Sequence, residues 1–245
     1  MKLKISFVTA LCVVSSVFAQ SYKVHYTQKI KIEESQLASL PEATRQQLQK
    51  LSKYYSLYIN DGQSVYKTLD SAPQSVLSEK ENEKTTTMIR MKKDKYDVYK
   101  NFKNNSFYIE TTLGDEHYNV AGELPNLAWK TTNDTDTILG YNVKKAIGEH
   151  NGKSVLVWYT EEIPVKDGPA LYRGVNGLVL KVELGKDVYV ATSVEKGDKE
   201  KINYPKDKNT ISLAEYYKKN EEFKQKLLNN LKNSTNGTTT RVKIL

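Results

Sequence analysis

Residues 178–184 read Leu-Val-Leu-Lys-Val-Glu-Leu. Successive side chains of an extended chain point to opposite faces, so Leu178, Leu180, Val182 and Leu184 share one side and Val179, Lys181 and Glu183 the other. This predicts a strand with one dry face. Working outward, similar short runs recur without intervening helices: Thr85–Met91, Tyr96–Phe102, Ser106–Leu113, Glu116–Val120, Leu127–Thr131, Thr137–Ile147 and Ser154–Thr160 before it, and Val188–Val194 after it. Nearer the start, Val24, Tyr26, Ile30 and Ile32 alternate with Lys23, His25, Lys29 and Lys31. Tyr54–Ile59 and Ser64–Leu69 flank Asn60-Asp61-Gly62, a hairpin signal. The series predicts a mainly β fold with flanking α: an antiparallel, open half-barrel or bowl-like sheet.

Two helices are expected beside that sheet. Pro41–Lys53 carries good helix formers, apolar Ala43, Leu48 and Leu51, and a proline suited to a first turn. Ser212 and Glu215 form a capping box ahead of a helix reaching about Lys232. Its stripe of Tyr216, Phe223, Leu227 and Leu231, flanked by lysines, suits docking on the sheet, on a partner or on a membrane surface. Asp70–Lys84, with Pro73, reads as a surface loop. The expected organisation is a leader at 1–19, one β domain at 20–195, a charged linker and helix at 196–232, and a polar, disordered tail at 233–245.

The chain has 245 residues, 38% hydrophobic and 27% charged, enough for a sizeable core, which excludes disorder throughout. Lys2 and Lys4, the apolar Ile5–Phe18 and the small-residue spacing Val17-Phe18-Ala19 read as a signal peptide cut after Ala19. The expected location is the periplasm, the outer membrane surface or the extracellular space. No apolar run reaches the roughly 20 residues of a transmembrane helix. Cys12, the single cysteine, would leave with the leader, so burial alone must stabilise the rest. The net charge is +8, but lysines and acids are interspersed, and no basic block is interleaved with aromatics. A nucleic-acid partner is therefore not expected.

Several stretches look chemical and fail on spacing. Gly148–Ser154 reads G-E-H-N-G-K-S, one residue short of a phosphate-cradling loop, and Asn151-Gly152 fits a hairpin turn instead. Asn133-Asp134-Thr135-Asp136 begins like a calcium loop, but Ile138 and Leu139 stand where an oxygen ligand and a glycine are needed. His25, His117 and His150 are far apart. His117, beside Asp115 and Glu116, is the best candidate for a titrating cluster, but it reads first as a solvated loop residue. No catalytic residue, metal ligand or cofactor is expected.

The most distinctive residues are Trp129-Lys130, Ile138-Leu139-Gly140-Tyr141, Lys144-Lys145-Ala146, Val157-Trp158-Tyr159, Ile163-Pro164, Gly168-Pro169 and Gly174-Val175-Asn176-Gly177-Leu178-Val179. This spacing resembles the GLPGLI family, exported proteins of Bacteroidetes whose activity is uncharacterised, over roughly Tyr99–Val194. Val175-Asn176 replaces the family's leucine-proline pair, Val179 its final isoleucine, and Val143 a cysteine common in relatives. The resemblance marks Trp129, Gly140, Tyr141, Lys145, Ala146, Trp158, Ile163, Pro164, Gly168, Pro169, Gly174, Gly177 and Leu178 as family positions, either structural or rimming a ligand.

Read physically, Pro164 and Pro169 lack the amide proton a central strand donates, so Glu161–Asn176 must leave the ladder as a long loop. Gly174 and Gly177 permit a tight turn or close approach. Gly140, inside a predicted strand, suggests a bulge or a contact under Trp129 or Trp158. The expected function is a non-enzymatic envelope protein holding a lipid-like, peptide or protein ligand in its concavity. The alternative is a glycan- or protein-binding accessory module that uses its 17 tyrosines as stacking platforms. A third reading is a hydrolase whose residues converge only in space. An apolar cavity would favour carriage; an aromatic, polar one would favour glycans.

Overall fold

The computed structural model describes residues 21–31, 42, 52–60, 62–69, 75–80, 83–90, 95–197, 200–206 and 209–234, with backbone alone at 75–80, 83–90 and 227–234. The expected leader at 1–19 and the tail from 235 onward lie outside these residues. So does most of the expected first helix at Pro41–Lys53: Glu42 is described and is helical, whereas Ser52 and Lys53 are described outside any helix, Lys53 opening a strand.

Eleven strands form one open, antiparallel sheet. In chain order they are β1 (Tyr22–Ile30), β2 (Lys53–Asn60), β3 (Gln63–Thr68), β6 (Tyr96–Asn101), β7 (Ser106–Leu113), β8 (Glu116–Glu123), β9 (Lys130–Ile138), β10 (Tyr141–His150), β11 (Lys153–Thr160), β12 (Leu178–Leu184) and β13 (Asp187–Lys196). In space the order is β8-β7-β6-β3-β2-β1-β13-β12-β11-β10-β9. The predicted 70–84 loop instead contains β4 (Ser75–Lys80), which pairs with β5 (Glu83–Arg90) as a separate hairpin. Its serines and charges suit a ribbon as well as a loop, so composition did not separate the two.

The buried face is the apolar half of each alternation. Val24, Tyr26, Leu57, Val98, Ile109, Val157 and Val182 are all at most 1% exposed. Burying each such side chain contributes about 1.5–3 kcal/mol. Register shifts at His25/Tyr26, Lys144/Ala146 and Trp158/Tyr159 mark bulges, which add local twist and let a wide sheet curl.

The long loop departs where the prolines require it, and residues 161–177 contain no strand. It then folds into the concavity. Asp167, between β11 and β12, meets Lys100 of β6, although β3, β2, β1 and β13 lie between those strands in the sheet. For this reason β12 departs from the single dry face: Leu178, Val179 and Leu180 are all fully buried, the sheet covering one side and the loop the other. Tyr26 of β1 donates to the Val179 carbonyl at 2.6 Å.

Both sheet edges are managed. Beside β8, Ile211 forms a parallel bridge with Val120 and leads into α1 (Leu213–Ser234). Ser212 Oγ accepts from the Glu215 amide at 3.1 Å, as the capping box predicts. At the other edge β9 is almost wholly exposed, carries Asp134 and Asp136, and so resists pairing with further strands. The residues that began like a calcium loop are therefore an edge strand. Leu139 and Gly140, with φ of 53° and 82°, form the β9–β10 turn rather than a bulge within one strand.

Candidate functional site

The Asn151-Gly152 turn has φ of 50° and 69°, the left-handed pair that a tight hairpin requires. It sets His150 opposite Lys153 at one end of the sheet. Gathered at the same end are Tyr96 of β6, Leu184 and Asp187 of the β12–β13 turn, Ala170–Tyr172 of the long loop, and the first turns of α1. Together they enclose a cleft of about 330 Å³. Tyr216 of α1 reaches Thr111 of β7 at 3.5 Å, and Tyr217 reaches His150 Nε2 of β10 at 2.5 Å. The helix thus bridges strands near opposite edges of the sheet and roofs the cleft.

The cleft wall is aromatic. The His150 ring meets Tyr172 and Tyr217 edge-on, each with centroids 5.6 Å apart. Tyr172 contacts Tyr189 at 6.4 Å, Tyr189 contacts Tyr55 at 6.4 Å, and Tyr55 stacks on Tyr66 at 4.7 Å, so the core buttresses the wall. Burial pushes the Tyr96, Tyr172 and Tyr217 hydroxyls well above their ordinary range, which keeps them neutral. Burial also lowers the His150 imidazole, so at neutral pH it is uncharged. Lys153, Glu221 and Lys224 stand exposed at the rim, whereas the Asp187 carboxylate is half-buried.

The His150 shift has a testable consequence. Its folded value lies below the roughly 6.5 of an unfolded histidine, so the folded state binds fewer protons between the two values. The contribution to stability is complete above about pH 6.5 and is lost as pH falls through the folded value. In thermal melts between pH 7.5 and 5, His150→Gln should lose less stability than the parent. Parallel curves would refute the assignment.

The residues singled out from sequence do not converge on this cleft. Trp129 donates to the Arg173 carbonyl at 2.7 Å and lies on Gly148, where an added Cβ would come 2.7 Å from the ring. The glycine beneath Trp129 is therefore Gly148, not Gly140, which has nothing within 4 Å. Trp158 lies between Lys145 and Lys181, whose ammoniums are 5.8 and 5.9 Å from its ring. Ala146, Ile163, Gly168, Pro169, Gly177 and Leu178 are buried, Tyr141 is half-buried, and Pro164 and Gly174 are exposed.

A histidine–serine pair does occur, away from the cleft. His25 Nδ1 is 2.7 Å from Ser56 Oγ, and its Nε2 is 3.8 Å from Glu195. Ser56 is wholly buried in mid-strand, so a substrate carbonyl has no approach to it. His117 is exposed at the start of β8. Among the described residues no group of three or more His, Cys, Asp or Glu could hold a metal ion, and no helix is long and apolar enough to cross a membrane.

Sequence reading missed Tyr172, Asp187 and Tyr217, together with the buried Lys100–Asp167 pair. The cleft residues come from five separate segments, and local periodicity carries no signal for their convergence.

The family model described as "N-glycanase peptide, N-terminal domain" matches residues 49–218, well over half the chain. The chain belongs to that family. No curated protein matches it. Among solved structures, PNGF-II in space group P21 aligns with a TM-score of 0.51 and 23% identity, over 84% of this chain and 34% of that one. PNGF-II in space group C2 gives 0.48 and 22%, over 84% and 33%. The chain thus spans about a third of PNGF-II. Membership of the N-glycanase N-terminal-domain family overturns the GLPGLI resemblance, since 129–179 falls inside the matched region, and leaves the Bacteroidetes source that the resemblance implied without support. Packing accounts for three of the positions behind that resemblance: Trp129 lies on Gly148, Gly168 on Val179, and Gly177 on Thr160.

Proposed function

We propose that this domain is an exported, glycan-binding accessory module that engages carbohydrate in the cleft under α1. The observation carrying the reading is the cleft itself: tyrosines and a neutral histidine, held by the core and edged by polar groups, suit the apolar faces and hydroxyls of a sugar. The family's name, which ties this fold to N-glycanases, supports the same ligand class. Carriage of an apolar ligand is less well supported, because residues 161–177 occupy the concavity where it would sit.

A glycan array followed by titration calorimetry tests the proposal. The parent protein should bind N-glycans, and Tyr172→Ala and Tyr217→Ala should each weaken binding about tenfold, the value of one aromatic contact. Trp158→Ala, away from the cleft, should leave affinity unchanged. A folded parent that binds no glycan, or cleft variants with undiminished affinity, would overturn the proposal.

A further inference from the structure

Asp187 lies in the cleft, and its carboxylate is held from behind. Oδ1 accepts a hydrogen bond from Gln28 Nε2 at 2.9 Å, and Gln28 Oε1 in turn accepts from the Tyr55 hydroxyl at 2.8 Å. Tyr55 is locked by its stack on Tyr66 and is 5% exposed. The relay therefore runs from the core through β1 to the first residue of β13. It uses one carboxylate oxygen, and among the described residues the other has no hydrogen-bond partner. An amide that donates to Oδ1 fixes the rotation of the carboxylate.

We infer that Asp187 is the specificity residue of the cleft and selects a neutral sugar that donates a hydroxyl to its free oxygen. The inference rests on the glycan reading above. A half-buried carboxylate accepts O–H bonds strongly but repels a sugar acid, sulfate or phosphate brought into the same space. Tyr172 and Tyr217 line the cleft with aromatic surface suited to a sugar's C–H groups, and His150, uncharged, supplies no cation to offset an anionic ligand. The cleft's lysines, Lys153 and Lys224, are exposed at the rim, where solvent screens them. An aromatic pocket with a carboxylate also suits an ammonium group, and the choline probe below separates that ligand from a sugar. Gln28, which does not line the cleft, acts as a positioning residue through Asp187.

The test compares the parent, Asp187→Asn and Gln28→Leu by calorimetry against three probes: a neutral biantennary N-glycan, its sialylated counterpart, and choline. The parent should prefer the neutral glycan at least tenfold. Asp187→Asn should lose most of that preference by binding the neutral glycan more weakly, and Gln28→Leu should shift the ratio in the same direction by a smaller factor. Loss of stability alone would not change the ratio. If the parent binds neutral glycan and Asp187→Asn keeps both affinity and preference, the role of Asp187 falls while the glycan reading stands. If the parent binds neither glycan, both fall, and choline binding in place of sugar would assign the cleft to cations.

Discussion

Replacing Asp167 by alanine is expected to destabilise the domain by about 3–5 kcal/mol, the range for stranding one member of a buried ion pair. Lys100 and Asp167 are both 0% exposed and lie 2.5 Å apart, and Lys100 also donates to the Gly168 carbonyl at 2.7 Å. Without the carboxylate, an ammonium remains in a dry interior with one carbonyl for company. Burial already pushes the Lys100 amine below its ordinary value, with Asp167 opposing that shift. Removing Asp167 leaves the lowering unopposed. A folded-state value below the unfolded one means that the protonated form costs stability, and this cost is relieved as pH rises through the folded value toward the unfolded value. The Asp167→Ala deficit in urea unfolding should therefore shrink between pH 7 and pH 9.5. The double variant Lys100→Met, Asp167→Leu should recover most of the loss, because an apolar pair needs no desolvation of charge. A single variant that unfolds at the parent's urea midpoint would show that the pair contributes nothing.

Gly177→Ala should be nearly as damaging through pure sterics. Gly177 is buried with φ of 157°, and an added Cβ would collide with the Thr160 carbonyl oxygen and lie 2.6 Å from its carbon. That carbonyl belongs to the last residue of β11, which pairs with Leu178, so relief requires prising β11 from β12. Both strands are central and their neighbours are packed, so the collision has no cheap outlet. The expected loss reaches or exceeds the roughly 3 kcal/mol at the upper end of ordinary overpacking, with a fall in soluble yield. Gly140→Ala makes the control: that glycine has open space around it, although its φ of 82° still carries some strain. Equal melting temperatures for Gly177→Ala and the parent would contradict the packing described here.

Residue order alone determined the features that depend on a few neighbouring positions. Alternation placed β1, β7, β11, β12 and β13, the missing amide protons of Pro164 and Pro169 forced the departure after Thr160, Asn151-Gly152 set a hairpin turn, and Ser212 opened α1. Each is a local preference of backbone or side chain, legible within a window of a few residues. The same logic failed at Gly140, where a polar edge strand was taken for a gap and a turn for a bulge, and in the 70–84 stretch, whose composition suits ribbon and loop alike.

Tertiary structure decided everything that depends on which distant segments meet. Alternation puts Lys100 on the same side as Val98, but only the loop's descent into the concavity supplies Asp167, 67 residues away. Tyr217 reaches His150 across the same 67 residues, and Gln28 reaches Asp187 across 159. The free energy of such contacts comes from dehydrating both partners together, and a linear pattern holds only one of them at a time. The sequence thus determined the strands, the turns and the loop's exit, whereas the curl of the sheet, the filled concavity and the cleft arose when those parts excluded water from one another.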